Sequence, residues 1–239
     1  MSIQLNNILF LDIETVPQHD GHENLPEAWK TLWDTKASYL IRNKESETPQ
    51  SIYSRAGIYA EFGKIICISC GLIYGNGTDK KFAIKSFCGD DEKLLLHQFC
   101  EMLNKWCVDE NKYLCAHNGK EFDFPYLCRR LVVNRLPIPE ILKLQGKKPW
   151  EVQHLDTLEL WKFGDYKSYT SLNLLAHTLG ITTPKDDIDG SKVHEVYWKD
   201  KNLDRIVTYC QKDVITVAQI FLRMNDEPLI NPENVEIKN

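Results

Sequence analysis

Residues 7–15, NILFLDIET, constrain this chain more than any other stretch: an apolar run that ends in two acids. It reads as a buried strand that meets a site at its carboxyl end. The longest largely apolar stretch of the chain, residues 65–74, is far shorter than the roughly 20 residues a membrane helix needs. Asp12 and Glu14 stand at i and i+2, so on a strand both side chains project from one face. Burying two carboxylates side by side is costly, because each disfavours ionisation of the other. A hard divalent cation such as Mg²⁺ or Mn²⁺ removes that cost. For this pair alone, two solvent-exposed acids at a strand end serve equally well.

The rest of the chain supplies the elements of an α/β fold. Strand patterns at 64–73 and 81–87 are joined by a hairpin-like YGNGTD. Asp90 and Asp91 open an apolar-periodic helix, residues 113–116 form a short strand, and 124–134 form a helix with Pro125 in its first turn. A fifth strand is expected at 153–158, then a helix closed by Gly180, a turn-rich loop at 182–190 and a long helix over 202–224. Residues 17–57 are polar apart from Trp29, Leu32 and Trp33 at helical spacing, a partly helical insertion over the mouth of the site. The expected organisation is one domain over 1–225 and an irregular tail over 226–239. Because strands and helices do not alternate strictly, the expected sheet is mixed, with helices on its faces.

Two further acids stand out. In AHNGKEFDFPYL, residues 116–127, Asp123 sits between two phenylalanines at a helix start, where it also suits an N-cap. In IVTYCQKDVITVAQI, Tyr209 and Asp213 are at i and i+4, on one helical face. Asp213 interrupts a stripe that includes Ile206, Cys210, Val214, Val217 and Ile220.

Taken in order, FLDIET, NGKEFD and YCQKD resemble the three exonuclease motifs of DEDD 3′–5′ exonucleases, with the D-x-E, N-x₃-F-D and Y-x₃-D of the tyrosine subclass. The histidine subclass would place His at position 208, where this chain has Thr208. EFGKIICIS, HLDTLELW, SLNLLAHTLGI and DIDGSKVHEVY extend the likeness to a standalone family related to the exonuclease domain of B-family DNA polymerases. The resemblance implies a ribonuclease H-like fold, a mixed five-stranded sheet flanked by helices. It also implies a site in which Asp12, Glu14, Asp123 and Asp213 hold two divalent ions, Mg²⁺ or Mn²⁺, while Tyr209 orients the attacking water. The implied product is a nucleoside 5′-monophosphate released from a 3′ end. A non-catalytic ribonuclease H-like module that binds nucleic acid or a repair partner is the alternative.

Around these motifs, Asn118 either contacts the 3′-terminal nucleotide or braces its turn. Phe124 either stacks on a terminal base or belongs to the core, and Leu172 either wedges against a base or packs. Asp156 and His117 read as structural hydrogen-bonding residues. Arg129, Arg130, Lys143, Lys147 and Lys148 form the only local basic enrichment, suited to a phosphate backbone or to solvent. With 29 basic against 34 acidic residues, net −5, the surface carries no footprint for bulk nucleic-acid binding, so any such function rests on a local site. The partners that the resemblance implies are single-stranded DNA or RNA 3′ ends, with DNA favoured, and a polymerase or repair protein supplied in trans. The eight cysteines fall mostly in apolar patterns and read as reduced thiols. With no basic leader and no membrane segment, the expected location is cytoplasmic. Cys67 and Cys70 spell C-x-x-C but sit three apart on a strand, on opposite faces, which does not favour a zinc site.

Overall fold

In the computed structural model, which describes residues 3–44, 46–75, 77–108, 111–165, 169–182 and 188–238, the apolar run becomes an interior strand, β1 (Ile8–Pro17). It is followed by α1 (Glu27–Leu40), β2 (Gly63–Tyr74), β3 (Lys81–Cys88), α2 (Glu92–Trp106), β4 (Tyr113–Ala116) and α3 (Asp123–Val133). Then come β5 (Leu155–Asp156), α4 (Thr157–Lys162), α5 (Leu172–Thr178), α6 (Val193–Trp198), α7 (Leu203–Met224) and β6 (Val235–Lys238). The sheet order is β5-β4-β1-β2-β3-β6. β1–β2 and β2–β3 pair antiparallel, the other three pairs parallel, so the sheet is mixed as expected.

The strand count departs from five. The stretch expected to be an irregular tail supplies β6, which pairs with β3 from Phe82↔Val235 to Lys85↔Lys238. Long-range bonds fasten it: Gln219 bonds both the N–H and the carbonyl of Ile230, and Lys80 pairs with Glu227 at 2.5 Å. The expected strand at 153–158 shrinks to two residues, because the Asp156 carboxylate caps α4 by accepting from Leu158 N and Glu159 N. Of the hairpin turn, residue 76 lies outside the described residues; so do 183–187 of the turn-rich loop.

Alternation along β1 divides the core. Leu9, Leu11 and Ile13 face α2 and α3, packing with Leu95, Phe99, Leu127 and Leu131. Ile8 and Phe10 face α7, packing with Val214, Val217 and Phe221. Phe10 is fully buried, with ring centres 6.0 Å from Phe82 and 5.6 Å from Phe221; burial of such a side chain contributes about 1.5–3 kcal/mol. Cys67 and Cys70 likewise fall in opposite clusters, and all eight cysteines are free.

The insertion builds a small core of its own. Trp33 and Ala37 are the buried face of α1, while Trp29 and Leu32 are exposed, so the helical stripe is rotated from the one their spacing suggested. Trp33 packs edge-on against Tyr53 and Phe62 and donates Nε1–H to the Pro49 carbonyl at 2.8 Å. The short 3₁₀ turn Tyr53–Ile58 then lies against β1. A Cβ at Gly57 would stand only 3.0 Å from the Val16 carbonyl carbon, so this close approach favours a glycine. No helix among the described residues is long and apolar enough to cross a membrane.

Candidate active site

Past Phe10, the α7-facing side of β1 carries Asp12 and then Glu14, and the facing turns of α7 carry Tyr209, Cys210 and Asp213. β4 pairs only with Ile8, Leu9 and Phe10, leaving the carboxyl half of β1 open on that side. Asp123 fills the gap: it is the first residue of α3, with Phe122 in the cap position, and its carboxylate accepts from the N–H of Ile13. The strand, the helix start and the long helix thus bring the four sequence-predicted acids and Tyr209 to one place. Asp12, Glu14, Tyr209 and Asp213 line a cleft of about 490 Å³, and Asp123 lies buried beneath it.

The electrostatics follow from this crowding. Burial, then the charges of Asp123 and Asp213, hold the Asp12 carboxyl well above the usual carboxylate range. Burial, then Asp12 and Asp213, do the same to Glu14. Burial pushes Asp123 up to about 7, with Asp156 and Asp213 adding to it. Burial and the neighbouring carboxylates push the Tyr209 hydroxyl far up as well, so it stays a neutral donor to Asp213. Clustered carboxylates that resist ionising together are a fitting donor set for divalent cations, whose charge reverses the cost.

Cys210 is a site residue that the sequence reading placed in the core stripe. Ligand atoms of Asp12, Glu14 and Cys210 lie within 4.8 Å of one another. Burial keeps the thiol protonated, and Sγ donates to Asp12 Oδ2 at 3.4 Å and to the Asp12 carbonyl at 3.5 Å. A protonated thiol positions Asp12 rather than binding a hard cation. The far wall comes from the segment 54–58, the turn before α6 (Gly190 and Ser191) and His194 of α6, with Phe122 and Tyr169 adding aromatic rings. Arg55 is the only Lys or Arg among these described lining residues. Nothing in its local sequence marks it, since a long-range approach of the turn to β1 puts it there.

Other expectations resolve differently. Phe124 is fully buried, 4.8 Å from the His154 ring, so it belongs to the core, and of the two phenylalanines it is Phe122 that lines the cleft. Leu172 packs among Val214, Leu175 and Ile220 and does not line the cleft. Asn118 has a left-handed backbone (φ +62°), donates its N–H to Asp156 at 2.9 Å and accepts from Glu121 and Phe122, bracing the turn. Asp156 also accepts from Lys120 N, and His117 bonds Thr157 and the Thr170 carbonyl, both structural as read. Arg130 leaves the basic group: it is buried in an ion pair with Glu92.

Residues 58–228 match a family described as predicted 3′–5′ exonucleases related to the exonuclease domain of PolB, and the chain belongs to that family. The match contains Asp123, Tyr209 and Asp213; Asp12 and Glu14 precede it. In structure the chain is similar to the family B DNA polymerase of the hyperthermophilic archaeon Pyrobaculum calidifontis. The TM-score is 0.53 at 16% identity, over 90% of this chain and 24% of the polymerase. The likeness is one of fold, ribonuclease H-like, and the chain spans about a quarter of that polymerase. A comparison with characterised proteins by sequence gives no match.

Proposed function

We propose that residues 1–225 are one metal-dependent exonuclease domain of the tyrosine subclass, which removes nucleoside 5′-monophosphates from the 3′ ends of single-stranded nucleic acid, DNA in preference to RNA. The observation that carries this reading is the gathering of four acids and Tyr209 at one cleft that Arg55 also lines. Asp12, Glu14 and Asp213 would hold one Mg²⁺ or Mn²⁺, and Asp12 with Asp123 a second. Bound there, such ions lower the pKa of water and offset charge on the phosphoryl oxygens. The neutral Tyr209 hydroxyl orients the attacking water by donating or accepting a hydrogen bond. Arg55 suits a phosphate, since its planar fork pairs two oxygens at once. Phe122 and Tyr169 offer faces for bases, and a polymerase or repair protein in trans is the proposed partner.

The test follows 5′-labelled single-stranded DNA and RNA of one sequence with Mg²⁺ or Mn²⁺. A ladder that shortens from the 3′ end, absent with EDTA and in Asp213→Ala, is expected. Full turnover by Asp213→Ala, or only internal cuts, overturns the reading. Tyr209→Phe is expected to slow single-turnover hydrolysis by about 10²-fold, the lower end for one positioned group, while Mn²⁺ binding by calorimetry is retained. A wild-type rate in that variant would remove Tyr209 from the reaction.

A further inference from the structure

A second cavity, of about 500 Å³, is lined by Lys64, Asp90, Tyr197, Trp198, Lys201 and Leu203. Lys64, near the start of β2, donates to the Tyr197 hydroxyl at 2.8 Å, and that hydroxyl donates to Asp90 at 2.6 Å. The Lys64 ammonium lies 4.8 Å from the Tyr197 ring centre and 5.1 Å from that of Trp198. Lys201 places its own ammonium 4.8 Å from the same Trp198 ring, from a left-handed backbone (φ +53°) that is uncommon for a lysine. Two cations over one indole repel each other, and burial together with the Lys201 charge lowers the Lys64 pKa. The Asp90 carboxylate offsets part of this from the Tyr197 side. An anion in the cavity that both lysines line relieves their mutual repulsion.

The cavity adjoins the acidic cleft. His194 lines the cleft and Trp198 lines the cavity. They are i and i+4 on α6, so they share a face, about 6 Å apart along the helix. Trp198 is also tied to the end of β1, donating Nε1–H to the Pro17 carbonyl at 3.1 Å. The cavity with Lys64 and Lys201 thus lies one helical turn along α6 from the cleft in which divalent ions at Asp12 and Glu14 would hold a phosphate.

We propose that Lys64 and Lys201 form a phosphodiester subsite, with Trp198 as its floor, for the part of the nucleic-acid strand that lies beyond the cleft. The choice of a nucleic-acid phosphate rests on the exonuclease reading above. A net-acidic chain gains its affinity for such a strand from a local pair of this kind, in which charge tracks the backbone and an aromatic face lies beside it.

The test uses the full chain carrying Asp213→Ala and a labelled single strand, with anisotropy read across a range of salt. Adding Lys201→Gln is expected to weaken binding several-fold and to reduce the magnitude of the slope of log K against log salt by about 0.7, one phosphate contact on a single strand. Lys64→Gln is expected to do the same, and the pair more. In the otherwise wild-type enzyme, the ratio of KM for a long strand to KM for a dinucleotide should rise several-fold in Lys201→Gln. Lys201 is exposed, so this variant decides the matter should Lys64→Gln fold poorly. An unchanged affinity and slope for the long strand overturns the subsite. So does a change confined to competition by a nucleoside 5′-monophosphate, which would make it a product site. If the wild type cuts nothing yet the lysine-dependent slope persists, the subsite stands and the exonuclease reading falls. If it cuts 3′ ends with no lysine effect, the reverse holds.

Discussion

Asp12→Asn is expected to abolish 3′-end hydrolysis and, in protein stripped of metal with EDTA, to raise the melting temperature. The first effect follows because Asp12 is the acid proposed to touch both ions. Groups that act as a unit lose nearly everything with one member, here on the order of 10³-fold or more. The second follows from the repulsion at the site. Asp12, Glu14 and Asp123 all have folded-state pKa values above their ordinary ones, with burial as the leading cause and neighbouring carboxylates next. Between the ordinary carboxylate range, about 4, and the folded values, the folded state binds more protons than the unfolded one. Stability of the metal-free protein must then fall as pH rises through that window, which for Asp123 extends to about 7. Asn at position 12 removes one charge from the cluster without changing its volume. A gain of 1–2 kcal/mol would raise the melting temperature by about 2–8 °C in a chain of this size. Mg²⁺ or Mn²⁺ should stabilise the wild type toward higher pH, by about 2.7 kcal/mol at a hundred times the dissociation constant. The variant should gain far less. Thermal melts from pH 5 to pH 8, with EDTA and with Mn²⁺, measure all of this. Equal pH slopes for wild type and variant in EDTA would show that the acids do not repel as the geometry says.

How much of this was legible in the sequence depended on whether the signal was local. The acids of β1 were visible because an apolar run ends in D-x-E, a pair that becomes telling only beside the two later motifs, and Asp213 because it breaks an apolar helical stripe. The helix phase at 122–124 was not legible: which of Phe122 and Phe124 is buried depends on where α3 begins, and a shift of one residue rotates a side chain by about 100°. α6 was missed because six residues are too few for a period to show. Cys210 was read as core because a buried thiol beside a carboxylate looks, along the chain, like any apolar position. The roles of Arg55 and β6 depend on contacts between distant segments, on which local pattern is silent.

Arg130→Met is expected to cost about 3–5 kcal/mol of stability, the largest loss of any single substitution considered, because it strands a buried charge. Glu92 is 7% exposed and Arg130 4%. The Glu92 carboxylate accepts from Arg130 Nε at 2.8 Å and from Nη2, from Asn134 Nδ2 at 2.9 Å and from Ile65 N–H at 2.7 Å. Arg130 sends its remaining Nη1 to the Ala60 carbonyl at 2.7 Å. One ion pair therefore joins α2, α3, the start of β2 and the exit of the insertion. Without the guanidinium, a carboxylate stays in the core with only two neutral donors. Glu92→Leu combined with Arg130→Met removes both charges, and should recover a substantial part of the loss, since desolvating the pair offsets most of its attraction. Urea melts of the two variants and of Glu92→Leu alone give the coupling directly. A double variant no more stable than Arg130→Met would mean that the bonds to Ala60 and Ile65, rather than the charges, hold this corner. That distinction reaches the cleft, because the Ala60 carbonyl lies five residues after Arg55 on the segment that forms its far wall. A double variant that folds well but binds single strands weakly would show that the pair's second role is to hold in place the strand-contacting residues near its anchors, Arg55 before Ala60 and Lys64 before Ile65.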